Sequence, residues 1–172
     1  MPGFYHVSTG DMFRSLNVES KLGQKVIAII RNGELVPDEI AYNMLQEHMK
    51  NAVRAGTFRP LKDVLVLDGF PRTPHQAGML QRLANVRLIL QLDCADREVL
   101  VARLHRRAVL EGRADDANEE VIRHRFEVYA RQIQQTLTFY SEKLMVKVEA
   151  SAPPVQILAA LGRALEKNLS SV

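Results

Sequence analysis

The chain has 172 residues, a formal net charge of +3 and 47% hydrophobic residues, which is typical of one globular domain with a sizeable core. Its 23 basic residues are spread along the sequence, which argues against a stripe that binds nucleic acid. The single cysteine, Cys94, can form no internal disulfide and indicates a reducing compartment, with the cytoplasm as the expectation. The sequence shows neither an apolar run long enough to cross a bilayer nor a signal peptide, so no membrane association is expected.

Short apolar runs alternate with amphipathic segments along the chain, which predicts strands alternating with helices. The predicted strands are residues 4–7, 64–67, 87–92 and 145–149. The predicted helices are one that carries Met12, Phe13 and Leu16, then 21–31, one that opens at 37–39, one from 74, then 96–107, 118–140 and 154–167. In the last helix Val155, Leu158, Leu161 and Leu165 are expected to face inward. The alternation predicts an α/β fold, a parallel sheet flanked by helices.

The stretch Asp63–Gln76 has the pattern of a buried strand followed by a functional turn. Ligands in open parallel sheets bind at the carboxyl ends of strands, so Asp68 and Arg72 lie where a site is expected. A carboxylate there can hold a hydrated metal ion, and a guanidinium can bind a phosphate through two hydrogen bonds. The alternatives are structural, with Asp68 as a turn residue and Gln76 as part of a capping box that begins at Thr73.

Six arginines fall near predicted strand ends or on inward helix faces, namely Arg14, Arg72, Arg103, Arg107, Arg113 and Arg125. Arg125 is the most informative, because it lies within the apolar stripe of the predicted helix 118–140. An arginine on an inward face is unfavourable unless it meets an anion. Salt bridges to Asp115, Asp116 and Glu127 would account for any single arginine, whereas the whole set favours a site for polyphosphate.

Five motifs resemble adenylate kinase in order and spacing, namely STGDMFR (8–14), GELVPDE (33–39), DGFPRTPHQA (68–77), RLHRR (103–107) and GRADD (112–116). The resemblance covers nearly the whole chain. It implies a nucleoside monophosphate kinase fold of the P-loop NTPase type and the reaction of ATP and AMP to two ADP, with Mg²⁺ alongside ATP. It further implies a monomer that binds these nucleotides and no nucleic acid. The single domain, 1–172, would comprise an AMP-binding lobe (10–37), a short lid (108–116) and a core.

The same resemblance implies a role for each matching residue. AMP would be held by Thr9, Gly10, Arg14, Glu34, Leu35, Val36, Gly69, Phe70, Arg72, Gln76, Arg113 and Arg125. ATP would face Arg103 and Arg107, with its adenine near residues 150–154. The catalytic set would be Arg72, Arg103, Arg113, Arg125 and Asp68, in which Arg113 and Arg125 bridge the transferring phosphoryl group. Asp68 would hold Mg²⁺ through water, with no protein group as a direct metal ligand.

The residues also bear on which base is accepted. Relatives that act on pyrimidine nucleotides usually have Ala at the position of Thr9, and Asn followed by Asp-Asn after their counterpart of Arg72. Here Thr9, Thr73 and Gln76 match the adenylate pattern. A glutamine amide offers a donor and an acceptor, which suits the edge of adenine.

One part of the family pattern does not occur in the sequence, the phosphate loop G-x-x-x-x-G-K-[ST]. Gly3 leads directly into what would be the family's second strand, so a strand, a P-loop and a helix of roughly 30 residues are expected to be missing. The missing strand would be the central one, which would leave two half-sheets with unpaired inner edges or a gap closed by re-pairing. Without the lysine and amides of that loop, the chain alone is expected to have little phosphotransfer activity.

Two other functions remain open from the sequence. One is a non-catalytic or regulatory protein that binds AMP and has lost the ATP site. The other is a kinase of UMP or CMP. Titration with AMP, ATP and the pyrimidine nucleotides would separate these alternatives.

Overall fold

A computed structural model describes residues 3–113, 116 and 118–169, and these residues form four strands and seven α-helices. The strands are β1 (Phe4–Ser8), β2 (Val64–Asp68), β3 (Ile89–Asp93) and β4 (Met145–Glu149). The helices are α1 (Thr9–Arg14), α2 (Lys21–Arg31), α3 (Asp38–Arg54), α4 (Pro74–Leu80), α5 (Arg97–Glu111), α6 (Glu119–Leu137) and α7 (Pro154–Leu169). Within these ranges, each helix is too short or too polar to cross a bilayer. The predicted α/β class is confirmed.

The strands of the described ranges form two separate parallel sheets, β1 with β2 and β3 with β4. Ser8 is opposite Asp68, and Asp93 is opposite Glu149, so both ladders end in polar residues. Since β2 and β3 are not hydrogen-bonded neighbours, the arrangement is that of two half-sheets and not of a re-paired single sheet. Val66 of β2 and Leu92 of β3 are 38% and 55% exposed, although apolar strand residues are usually covered.

The main core lies beside the first sheet, where α1, α2, α3 and the turn after β2 come together. It consists of buried apolar side chains that pack in one cluster, namely Val7, Phe13, Val26, Val36, Ala41, Leu45, Phe70 and Leu80. All of these residues precede β3 in the chain. The main core therefore packs against the first sheet.

Several helix starts follow directly from side chains that cap the first turn. Ser8, Ser20, Thr73, Asp96 and Asn118 each accept a hydrogen bond from a backbone N–H in the first turn of the following helix. The cap at Thr73 is the one that the predicted capping box included. Because Thr73 begins α4 immediately after Arg72, its cap fixes where the turn after β2 ends.

Several predicted boundaries and one predicted helix face are wrong. The helix predicted to end at Arg107 continues to Glu111, because helix-forming residues continue until Gly112, which is left-handed with φ of +63°. The strand expected from residue 87 begins at Ile89, and the helix expected to reach 140 ends at Leu137. In α7, Val155 and Leu158 are 71% and 69% exposed, so they do not face inward, whereas Leu161 and Leu165 of the same prediction are partly buried; α7 packs on β4, and Ala164 is buried.

Candidate functional site

The turn after β2 is built around a close approach between two segments. Gly69 has φ of +80°, and a Cβ atom there would lie 2.7 Å from Thr9 Oγ1 and 3.0 Å from an Arg72 terminal nitrogen. Thr9 is fully buried and donates a hydrogen bond of 3.3 Å to the Asp68 carbonyl. The glycine is therefore required both by its backbone conformation and by the space that Thr9 and Arg72 occupy.

Arg72 is partly buried and lies close to the positive charges of Arg125 and Arg14 at this turn. Its Nε donates a 3.0 Å hydrogen bond to the Gly69 carbonyl. Burial lowers the pKa of Arg72, and the nearby positive charges of Arg125 and Arg14 lower it further, while Asp68 opposes the shift. An anion that binds beside Arg72 would therefore stabilise its charged guanidinium.

The carboxylates of Asp11 and Asp116 each contact two arginines near this turn. Asp11 Oδ1 lies 2.5 Å from Arg14 and 3.6 Å from Arg113, and its pKa is lowered chiefly by the hydrogen bond from Arg14. The fully buried Asp116 accepts hydrogen bonds from Arg107 Nε at 2.8 Å and from Arg125. We call the five residues Arg14, Arg72, Arg107, Arg113 and Arg125 the arginine cluster.

Arg103 does not belong to the arginine cluster. Its guanidinium donates to three backbone carbonyls of the segment that joins β4 to α7, those of Ala150, Ser151 and Ala152. The sequence led us to expect both Arg103 and residues 150–154 on the ATP side, and the structure brings these two elements into direct contact. These bonds use three of the five N–H groups of the Arg103 guanidinium.

The segment expected to hold AMP by its backbone lies against α6. Gly33, with φ of +77°, allows this contact, because a Cβ there would lie 2.9 Å from Arg125 Cγ. Glu34 lies 2.7 Å from His124 Nε2 through one carboxylate oxygen. Leu35 is partly covered, and Val36 is buried in the main core.

Of the remaining predicted AMP residues, Phe70 also lies in the core cluster, so its side chain packs inside. Gly10 lies beside Arg14, because a Cβ at this position would be 3.0 Å from a terminal nitrogen of that arginine. Gln76 is buried, and its side chain bonds to the backbone N–H of Arg72 and to Asp38. The predicted capping box is therefore half right: Thr73 caps α4, but Gln76 does not bond back to Thr73 N–H.

Asp11, Asp38 and Asp116 are contact residues that the site prediction did not include. Asp116 was considered only as one of several ordinary salt-bridge partners, and Asp115 lies outside the described residues. Asp11 and Asp116 lie in motifs that also contain an arginine, and Asp38 lies at a predicted helix start. These positions could have indicated the three aspartates from the sequence. The salt bridge expected at Glu127 is instead to Arg131, at 3.5 Å.

The Asp68 carboxylate is exposed at the end of β2, beside the arginine cluster. A single exposed carboxylate fits a hydrated Mg²⁺, which keeps most of its waters and takes other ligands from phosphates. The described residues contain no group of three or more acidic, histidine or cysteine side chains that could hold a metal by themselves. Two cavities of about 420 and 390 Å³ lie elsewhere, and neither is lined by a member of the arginine cluster.

Comparison with known proteins gives consistent matches over most of the chain. Residues 2–145 match the family model described as adenylate kinase. An adenylate kinase of Leifsonia xyli subsp. xyli is 37% identical over 174 residues, which cover 96% of this chain and 82% of that relative. Those of Clavibacter michiganensis subsp. michiganensis and Maricaulis maris are 39% and 37% identical, covering 86% and 96% of this chain and 72% and 87% of the relatives.

Proposed function

This chain belongs to the adenylate kinase family, and on that premise we propose that its arginine cluster holds the phosphates while a phosphoryl group passes from ATP to AMP to give two ADP. Phosphoryl transfer needs little covalent chemistry from the protein and depends on positioning and on positive charge. The arginine cluster supplies that charge: Arg14 and Arg125 lie near Arg72, and Asp11 and Asp116 link Arg113 and Arg107 to them.

On the AMP side, we propose that Arg14, Arg72 and Arg125 bind the phosphate. Arg72 is the best placed, because desolvation first and the charges of Arg125 and Arg14 second lower its pKa, and an anion beside it would favour its charged form. Thr9, Gly10, Gly69 and the backbone of residues 34–36 would line the nucleotide, with Gln76 facing the base. Phe70 would act indirectly, by packing the turn against the core.

On the ATP side, we propose that Arg107 and Arg113 bind phosphates and that Arg103 supports the adenine. Hydrogen bonds from Arg103 to the carbonyls of residues 150–152 would hold the wall of an adenine site, while the face of the guanidinium stacks on the base. Mg²⁺ would arrive with ATP and neutralise phosphate charge, and Asp68 would accept hydrogen bonds from its waters.

Asp11 and Asp116 would serve as temporary partners for the arginines when no nucleotide is bound. Asp116 binds Arg107 and Arg125, and Asp11 binds Arg14 and lies 3.6 Å from Arg113, whose closer partner is Glu111 at 2.6 Å. A phosphate that arrives would compete with these carboxylates for the same N–H groups. We propose that residues 108–116 move as a lid in this exchange and that residues 10–37 form the AMP-binding lobe, the rest of the domain being the core.

The convergence of Arg72 with Arg125 and Arg14 is the observation that carries this proposal. Calorimetric titration with AMP tests it through Arg72→Ala and Arg125→Ala. Each change removes charged hydrogen bonds worth about 1.5–3 kcal/mol, so we expect Kd to rise roughly 10- to 150-fold. Arg131→Ala is the matched control on the same helix, since Arg131 is 70% exposed and pairs only with Glu127 among its described ionic partners. Equal effects at Arg125 and Arg131 would contradict the proposal.

A coupled assay for ADP formation tests turnover separately. Since the sequence contains no G-x-x-x-x-G-K-[ST], we predict that the 172-residue chain turns over slowly even where it binds AMP. Near-normal turnover would contradict that prediction while supporting the function. Binding of AMP without ATP would favour a regulatory protein, and preference for UMP or CMP would favour a pyrimidine nucleotide kinase.

We also propose that the enzyme is a cytoplasmic monomer. Its one cysteine, which can form no internal disulfide, supports a reducing compartment. Light scattering coupled to size exclusion would test the monomer, for which a mass of 19.4 kDa is expected.

A further inference from the structure

The Gln76 side chain is held at both ends of its amide. It is 3% exposed, its Oε1 accepts a 2.7 Å hydrogen bond from Arg72 N–H, and its Nε2 donates a 2.8 Å hydrogen bond to Asp38 Oδ1. The contact with Asp38 crosses from α4 to the first residue of α3, which is 38 positions earlier in the chain. Neither contact is needed to form α4, because Thr73 already caps that helix.

The two partners permit only one orientation of this amide. A backbone N–H can only donate, and a carboxylate can only accept. Rotating the amide by 180° would set Nε2 against Arg72 N–H and Oε1 against the Asp38 carboxylate, so both hydrogen bonds would be replaced by repulsion. Both partners favour the same orientation; the Arg72 N–H is a backbone group that no substitution removes, so Asp38 is the partner whose contribution can be tested by mutation.

Asp38 is itself held in place for this contact. Its Oδ2 accepts a 3.0 Å hydrogen bond from Thr73 Oγ1 and lies 3.2 Å from His75 Nδ1. The N-cap of α3 is Pro37, which provides no side-chain cap, and the Asp38 carboxylate is directed to α4. One carboxylate thus joins the starts of two helices around a single buried amide.

We infer that Asp38 is a positioning residue that orients Gln76 and thereby makes the site select 6-amino purines over 6-oxo purines. This inference rests on the proposed function, in which Gln76 faces the base of AMP. The oriented amide has one N–H on Nε2 and one lone pair on Oε1 left for a ligand. Adenine offers an acceptor at N1 and a donor at N6, which match these groups, whereas hypoxanthine and guanine offer a donor at N1 and an acceptor at O6.

Calorimetric titration with AMP and with IMP tests the inference, because the two nucleotides differ at this edge and have nearly the same shape. Two hydrogen bonds to a base edge discriminate by roughly 5- to 150-fold, so we expect wild type to prefer AMP within that range. Asp38→Asn keeps the shape but can pair with either amide orientation, and Asp38→Ala leaves the Arg72 N–H as the one remaining partner of the two. Both should lower the ratio of the IMP and AMP dissociation constants by at least about threefold, while the Arg72 N–H retains part of the preference.

Glu39→Ala is the matched control, since Glu39 is an exposed acidic residue in the same first turn of α3. It removes the same favourable charge at the helix N-terminus and should leave the ratio unchanged. If Asp38 were merely structural, its variants would weaken AMP and IMP equally with an unchanged ratio. That result would overturn the inference, as would a loss of selectivity in Glu39→Ala.

The ¹⁵N-resolved spectrum of the Gln76 side-chain NH₂ group gives a readout without nucleotide. We expect a dispersed, slowly exchanging pair in wild type and Glu39→Ala, assigned by its disappearance in Gln76→Ala, and free-amide shifts in Asp38→Ala. Free-amide shifts in wild type would overturn the inference even if AMP binds. Failure of wild type to bind either purine nucleotide would overturn the proposed function and the selection of base, whereas the spectrum would still decide whether Asp38 orients Gln76.

Discussion

Arg125 lies on the inward side of α6, where its contact with Asp116 offsets the desolvation of the guanidinium. A buried guanidinium without a partner would be strongly destabilising, whereas hydrogen bonds to a fully buried carboxylate offset much of its desolvation. The same carboxylate also binds Arg107, so one buried negative charge is shared by two arginines. Under the proposed function, an incoming phosphate would compete with this carboxylate for both.

Gly69 gives a prediction at the scale of one residue. Gly69→Ala should lower the free energy of unfolding by about 1–2 kcal/mol for the left-handed backbone and by a further ~1–3 kcal/mol because Thr9 or Arg72 must move. It should also weaken AMP binding, since Arg72 is displaced. Gly56→Ala is the control, because Gly56 has φ of +72° and a Cβ there would meet nothing within 4 Å. Urea unfolding measures the free energy of unfolding of both variants. Equal losses in Gly69→Ala and Gly56→Ala would show that the contact with Thr9 adds nothing to the cost.

At the scale of elements, short side chains at helix starts determine where the site residues stand. Thr73 starts α4 directly after Arg72, so the turn from Asp68 to Arg72 cannot lengthen without losing that cap. Asp38 at the start of α3 binds Thr73 and Gln76, which couples the two helices that border the turn. Capping is local and therefore readable from sequence, whereas a contact between two helix starts is not.

Two helical glycines allow a prediction about elements. Gly23→Ala in α2 should destabilise the protein by about 1–3 kcal/mol, because the added Cβ would lie 2.0 Å from the Asn17 carbonyl oxygen. Gly162→Ala in α7 should instead stabilise it by roughly 0.5–1 kcal/mol, because a Cβ there meets nothing within 4 Å and alanine favours the helix. Thermal or urea unfolding of both variants measures the two changes in free energy of unfolding, which should have opposite signs. An unchanged stability in Gly23→Ala would contradict the close packing at the start of α2.

At the scale of the whole molecule, the two parallel ladders differ in what covers them. The main core cluster packs on β1 and β2, and no member of it comes from the described residues after Leu80. The second ladder has α7 against β4, and Leu92 of β3 is 55% exposed. The half of the fold that carries Arg14, Arg72 and Gln76 is therefore the better buried half.

This difference predicts unequal hydrogen exchange in the two ladders. Amide protons in the β1–β2 ladder should exchange at least about tenfold more slowly than those in the β3–β4 ladder, because opening the first exposes more apolar surface. Hydrogen–deuterium exchange followed by mass spectrometry or NMR resolves the two strand pairs. Equal protection in both ladders would mean that they unfold as one cooperative unit and would contradict the prediction.

Much of the candidate site could be predicted from sequence, and the failures have physical causes. Arg72, Thr73 and Asp68 follow a short apolar strand and a cap, which are local patterns. The outward position of Val155 and Leu158 was not predictable, because an apolar stripe shows that a helix is amphipathic but not which neighbour covers it. The role assigned to Arg103 also depended on a distant segment, residues 150–152, whose backbone binds it.

By itself, the sequence determined the family, the order of strands and helices, and the identity of the arginines, because these depend on local periodicity, capping and ordered motifs. Only the tertiary structure decided which anions accompany those arginines before a nucleotide arrives and which way the Gln76 amide faces. The reason is that Asp11 and Asp38 contact residues distant in the chain, and Asp116 joins two helices that precede and follow it; which partners a carboxylate takes depends on distance and burial, which no local pattern encodes.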